Sequence, residues 1–123
     1  MKQNTSSILM VDDDAEECLN MSDILSDQGY RVDTAHEGLM ALRLVERQAY
    51  DLALLDLRMP GMDGLTLCRE MTRRRPTTIA LLLTGYPEDV PPAAARAAGV
   101  RQVFPKPVDV ERLLVRIEEV LAG

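Results

Sequence analysis

Three uninterrupted apolar runs of strand length limit what this chain can fold into: Ile8-Leu9-Met10-Val11, Leu52-Ala53-Leu54-Leu55 and Ile79-Ala80-Leu81-Leu82-Leu83. A strand with one wet face alternates polar with apolar residues, whereas a continuous run suits a parallel strand covered on both faces. Parallel neighbours need long crossovers, and the segments between these runs carry helical period. Residues 15–28 set Cys18, Met21 and Leu25 on one face before Gly29, and residues 37–47 do the same with Gly38, Ala41, Leu42 and Val45. A third helix is predicted from near Asp63 to Arg73-Arg74-Arg75, whose charges suit the negative end of a helix dipole. Pro91 and Pro92 confine a fourth to about 93–98. The last helix carries Val110, Leu113, Leu114, Ile117 and Leu121 as a stripe, with Asp109 placed to cap it.

Two further strands complete the rhythm. Tyr30 to Ala35 alternates Val32 and Thr34 with Arg31 and Asp33, the pattern of an edge strand with one wetter face, and Val100 to Pro105 reads as a fifth strand. Five strands alternating with five helices imply an α/β fold, a doubly wound five-stranded parallel sheet of order 2-1-3-4-5 with right-handed crossovers. A chain of 123 residues suits one domain, residues 1–123. Aromatic residues make up only 3%, so the core must be aliphatic and methionine-rich.

Charge and cysteine usage narrow the function classes. A net charge of −6 argues against direct nucleic-acid binding by the domain. Cys18 and Cys68 fall in predicted helices without metal-ligand spacing, which implies buried thiols and a cytoplasmic setting. The start, Met1 to Ser7, is polar, and no segment approaches a membrane span.

In open α/β sheets, ligands bind outside the carboxyl ends of the strands. There the first strand runs into Asp12-Asp13-Asp14, the third ends at Asp56, the fourth at Thr84, and the fifth leads to Lys106. Converging carboxylates repel one another and call for a hard cation with oxygen ligands, which suits Mg²⁺ better than Zn²⁺. A carboxylate facing such a cation can attack phosphorus and form an aspartyl phosphate. Phosphoryl transfer then needs the equatorial oxygens neutralised, and Lys106, Thr84 and a backbone N–H can share that work with the cation. Each piece also has a plainer reading. Acidic residues from Asp12 to Glu17 would favour a helix dipole, Lys106 could be a loop lysine, and His36 a surface residue. Arg73-Arg74-Arg75 reads as a solvated helix end, and no nucleotide-binding fingerprint occurs.

Over nearly its whole length the chain resembles the receiver domain of two-component response regulators, including the chemotaxis-regulator type with its flavodoxin-like fold. The resemblance rests on Ile8-Leu9-Met10-Val11-Asp12-Asp13-Asp14, Leu54-Leu55-Asp56-Leu57-Arg58-Met59-Pro60-Gly61-Met62-Asp63-Gly64, Leu83-Thr84-Gly85 and Lys106-Pro107. It implies that Asp56 is the phosphoacceptor. It makes Asp12, Asp13, Asp56 and the backbone carbonyl of Arg58 the Mg²⁺ ligands. Thr84, Gly85 and Lys106 become the phosphoryl-binding and switch residues, and the bond before Pro107 is expected to be cis. The implied partners are a sensor histidine kinase or histidine phosphotransfer protein, and a downstream effector or fused output domain. A homodimer through the face of the fourth helix, fifth strand and fifth helix is a further implication. One position departs from the pattern: receivers commonly carry Tyr or Phe three residues before the lysine, and here Val103 stands there, with Phe104 next to it. Adjacent strand residues point to opposite faces, so Phe104 does not substitute.

The leading expectation is a phosphorylation-dependent switch in a two-component phosphorelay. It would not be an enzyme, apart from catalysing its own phosphorylation and dephosphorylation. A Mg²⁺-dependent phosphatase or phosphotransferase is the second reading, favoured by turnover of a small phosphomonoester. A receiver used only as a binding module is the third, favoured by failure to bind Mg²⁺. The sequence ends two residues after Leu121, so a stand-alone regulator and a fragment of a longer chain both fit.

Overall fold

Parallel strands buried on both faces give the sheet its shape. The computed structural model describes residues 6–123, so Met1 to Thr5 of the polar start lie outside the described residues. Strands β1 (Ser7–Val11), β2 (Arg31–Ala35), β3 (Leu52–Asp56), β4 (Ile79–Thr84) and β5 (Val100–Pro105) form one parallel sheet in the order β2-β1-β3-β4-β5. The four crossovers carry helices α1 (Ala15–Asp27), α2 (Gly38–Arg47), α3 (Gly64–Arg74) and α4 (Pro92–Ala98), and α5 (Val110–Ala122) follows the last strand. A 3-10 turn, Pro87–Asp89, precedes α4. The sequence-based expectation of a doubly wound 2-1-3-4-5 sheet holds, with helix and strand ends within a residue or two.

Side-chain alternation divides the core into two layers. Leu9, Val11, Ala53, Leu55 and Leu82 face α2, α3 and α4, and Ile8, Met10, Leu52, Leu54 and Leu83 face α1 and α5. Burying each leucine contributes roughly 1.5–3 kcal/mol relative to exposure, which is why the apolar runs dominate the fold. Val103 packs with the first layer and Phe104 with the second, on opposite faces as strand geometry requires.

Caps explain where the helices begin. Asp14 accepts from the N–H groups of Glu16 and Glu17, Asp63 from that of Thr66, and Asp109 from that of Arg112. Gly99 closes α4 at φ 91°, and a Cβ there would also meet the Thr72 hydroxyl at 2.5 Å.

Two local expectations are refined. The polar side of β2 is covered at Asp33, which accepts from the Tyr50 hydroxyl at 2.6 Å and the Gln48 amide at 2.9 Å. The arginines closing α3 serve tertiary contacts as well as their own helix: Arg74 reaches Glu46 and Glu70, and Arg75 donates to the carbonyl of Val45 in α2.

Candidate functional site

Parallel strands all end on one side, so the residues that follow β1, β3, β4 and β5 meet at a single edge. Among the described residues the buried polar side chains are Asp12, Asp56 and Thr84, and all three lie there. Exposed Asp13 joins them: Asp12, Asp13 and Asp56 each offer a carboxylate oxygen within 4.8 Å of the others. The Lys106 ammonium lies 3.0 Å from Asp56 and 3.6 Å from Asp12. The sequence-predicted acidic pair, acceptor and lysine therefore converge.

The surrounding backbone holds these groups in place. The side chain of Asp12 accepts from the Asp14 N–H at 2.9 Å, and its N–H donates to the Ala35 carbonyl. The Leu57 N–H donates to Leu83, and the Lys106 N–H donates to the Thr84 carbonyl at 2.7 Å, tying the ends of neighbouring strands together. Gly64 approaches Asp56 so closely that a Cβ on it would lie 2.4 Å from the Asp56 carbonyl oxygen. The Lys106–Pro107 bond is cis.

Burial raises the proton affinity of the Asp12 and Asp56 carboxyls, and Lys106 offsets this only in part. Burial also works against the charge on Lys106, but its hydrogen bond to Asp56 and the charges of Asp12, Asp56 and Glu17 outweigh it, and its pKa is raised. Three carboxylates around one ammonium leave an excess of negative charge that a cation would neutralise. The donor set is all oxygen and partly solvent-facing, which fits a hard divalent cation.

Thr84 is 1% exposed, and its hydroxyl accepts from the Tyr86 N–H at 2.9 Å. Gly85 is exposed beside it. Arg58, two residues past Asp56, pairs through its side chain with Asp89 and lies over the Tyr86 ring, 4.3 Å from the ring centre. Sequence reasoning missed Glu17, whose carboxylate lies 3.6 Å from Lys106. Its place in the first turn after the Asp14 cap was the available signal, hidden because an acid there also suits the helix dipole. The exposed ring of His36 hydrogen-bonds the Asp12 carbonyl at 3.1 Å, a contact with the acidic loop that a surface role alone did not anticipate. Cys18 and Cys68 are buried, and burial pushes the Cys18 thiol up to about 11.

Comparison with known proteins bears on this edge of the sheet. Residues 8–118 match the family described as response regulator receiver domain. The chain is 36% identical over 115 residues to the transcriptional regulatory protein ZraR of Klebsiella oxytoca, covering 94% of this chain and 26% of that protein. The chain thus spans about a quarter of the length of the first curated relatives it matches. The receiver domain protein of Methanospirillum hungatei, described as CheY-like, superposes with a TM-score of 0.90 at 31% identity, over 97% of this chain and 95% of that one. The response regulator TrrA of Thermotoga maritima, solved in complex with Mg²⁺ and BeF, superposes with a TM-score of 0.86 at 28% identity, over 94% and 99% of the two chains.

Proposed function

This chain belongs to the response regulator receiver domain family, and from that premise we propose that Asp56 is its phosphoacceptor. The convergence of Asp12, Asp13 and Asp56 with the Lys106 ammonium at 3.0 Å is the observation that carries this reading. Asp56 ends a fully buried strand, so its carboxylate is held at the sheet edge with little freedom to lose on reaction. Its oxygen attacks the phosphorus of a phosphohistidine, the P–N bond breaks, and the imidazole leaves with the bonding electron pair and takes a proton from water. Lys106 stands ready to neutralise one phosphoryl oxygen, and the Thr84 hydroxyl to donate to another. Asp12, Asp13, Asp56 and the Arg58 carbonyl would hold Mg²⁺. When bound, that ion would neutralise charge on the carboxylates and on the incoming phosphoryl group.

In this reading the chain is a switch whose own catalysis is limited to accepting the phosphoryl group and assisting its hydrolysis. Its partners are a histidine kinase or histidine phosphotransfer protein on one side and an effector or fused output domain on the other. The cytoplasm, where such donors present their phosphohistidine, is its place of action. Among the described residues no helix is long and apolar enough to cross a membrane. The α4-β5-α5 face is the output or dimer surface: exposed Val115 and the side chains of Arg112 and Arg116 line a groove there above Phe104.

Acetyl phosphate and Mg²⁺, followed by intact mass, test the proposal. A gain of about 80 Da, one phosphoryl group, that is absent from Asp56→Asn and absent without Mg²⁺ supports it. Modification that persists in Asp56→Asn, or no response to either acetyl phosphate or Mg²⁺ with beryllofluoride, overturns it.

A further inference from the structure

Three contacts meet on one exposed residue, Tyr86, and a fourth joins two of its partners. The Tyr86 N–H donates to the Thr84 hydroxyl at 2.9 Å, and the Tyr86 carbonyl accepts from the Asp89 N–H at 2.9 Å. The Tyr86 ring lies under the Arg58 guanidinium, and that guanidinium pairs with the Asp89 carboxylate. Tyr86 therefore touches the buried hydroxyl of the site, the loop that follows the acceptor, and the 3-10 turn Pro87–Asp89. That turn passes directly through buried Val90 and Pro91 into α4. Val103, by contrast, is an aliphatic residue packed against the α2-α3-α4 layer, and Phe104 is enclosed on the other face.

We propose that Tyr86 is the positioning residue through which occupation of the Asp56 site reaches α4, doing so from the β4–α4 side of the site because β5 offers no aromatic at Val103. The proposal rests on the acceptor reading above. A phosphoryl oxygen that draws the Thr84 hydroxyl inward moves the acceptor of the Tyr86 N–H. The backbone of Tyr86 follows and moves its ring, which bears on the Arg58 guanidinium and through it on the Asp89 carboxylate at the end of the turn. The ring then shifts relative to Arg58, which is free to re-pair because its bond to Asp89 is solvent-exposed. The charge on Arg58 and the flat face of Tyr86 make this a contact that a smaller aliphatic side chain cannot reproduce.

Two-dimensional amide NMR of the full chain with Mg²⁺, before and after beryllofluoride, tests the route in the unsubstituted protein, Tyr86→Leu and Tyr86→Phe. In the unsubstituted protein, shifts are expected at Asp56, Thr84 and Gly85 and also at Asp89, Val90 and Ala93 to Ala98. In Tyr86→Leu the first set persists and the second is lost, and Tyr86→Phe, which keeps the ring, restores it. Exposure of Tyr86 at 51% leaves the core intact in both variants. Shifts in α4 as large in Tyr86→Leu as in the unsubstituted protein overturn the route alone. Absence of any shift at Asp56 and Thr84 in the unsubstituted protein overturns the acceptor reading and the route together.

Discussion

The Lys106 ammonium lies 3.0 Å from an Asp56 carboxylate oxygen and is the sole cation within reach of that carboxylate among the described ion pairs. Asp12 and Glu17 compete for the same ammonium at 3.6 Å each. One positive charge among several carboxylates sets both the chemistry of the site and the cost of holding it together.

Replacing Lys106 with Ala removes that charge and leaves buried Asp12 and Asp56 facing each other. Breaking a buried ion pair by deleting one partner costs about 3–5 kcal/mol at the upper end, and the part-exposed lysine lowers this to roughly 1–3 kcal/mol. Urea unfolding without divalent metal is expected to show a loss in that range at neutral pH. Addition of Mg²⁺ should recover part of it. A midpoint unchanged from the unsubstituted protein would contradict the electrostatic account.

The site also makes stability depend on pH. The Asp12 and Asp56 carboxyls hold their protons more tightly in the fold than the ordinary 3.8. Such groups stabilise the fold fully below their unfolded pKa, and the contribution is lost as pH rises through the raised, folded value. Without metal, this contribution should therefore decline from about pH 4 upward. The raised pKa of Lys106 keeps its own contribution present until the pH exceeds 10.5, so it does not mask the decline. Thermal melts in EDTA should show a shallower decline for Asp56→Asn, and Mg²⁺ should flatten the curve of the unsubstituted protein.

Gly64→Ala should reverse the usual helix preference. Alanine in a helix is favoured over glycine by about 1 kcal/mol. Here the added Cβ would meet the Asp56 carbonyl oxygen at 2.4 Å, a backbone atom that cannot yield cheaply. A net loss of roughly 2 kcal/mol or more is expected, with slower phosphoryl uptake because the acceptor shifts with its carbonyl. Unfolding and intact-mass kinetics read the two effects.

Asp14 and Asp13 are neighbours with separable roles. Asp14 caps α1, so Asp14→Ala should cost about 1 kcal/mol of stability and leave Mg²⁺ affinity nearly unchanged. Asp13→Ala should do the opposite, weakening Mg²⁺ binding in a titration while barely altering the metal-free melting temperature.

The fold was legible because its signals are local. Continuous apolar runs, helical stripes and cap residues each report burial or hydrogen bonding within a few positions, and the 2-1-3-4-5 order follows from packing a polar-edged β2 at the margin. The site was legible for a related reason: Asp56 and Thr84 end their strands, Asp12, Asp13 and Lys106 stand just past theirs, and parallel strands bring those ends together. Glu17, the Arg58–Asp89 pair, Tyr86 beneath Arg58 and the bond from His36 to Asp12 were not legible. They depend on how long side chains on separate loops fall across one another, which no periodicity records.

The sequence by itself determined which residues are buried, where helices start and which side of the sheet gathers the polar groups, because burial, capping and strand direction act through the backbone's own repeat. Only the tertiary structure decided how one ammonium is shared among Asp56, Asp12 and Glu17, and which aromatic touches the Thr84 loop. Those outcomes turn on distances of a few ångströms between segments far apart in the chain, and electrostatic and ring contacts change steeply over such distances.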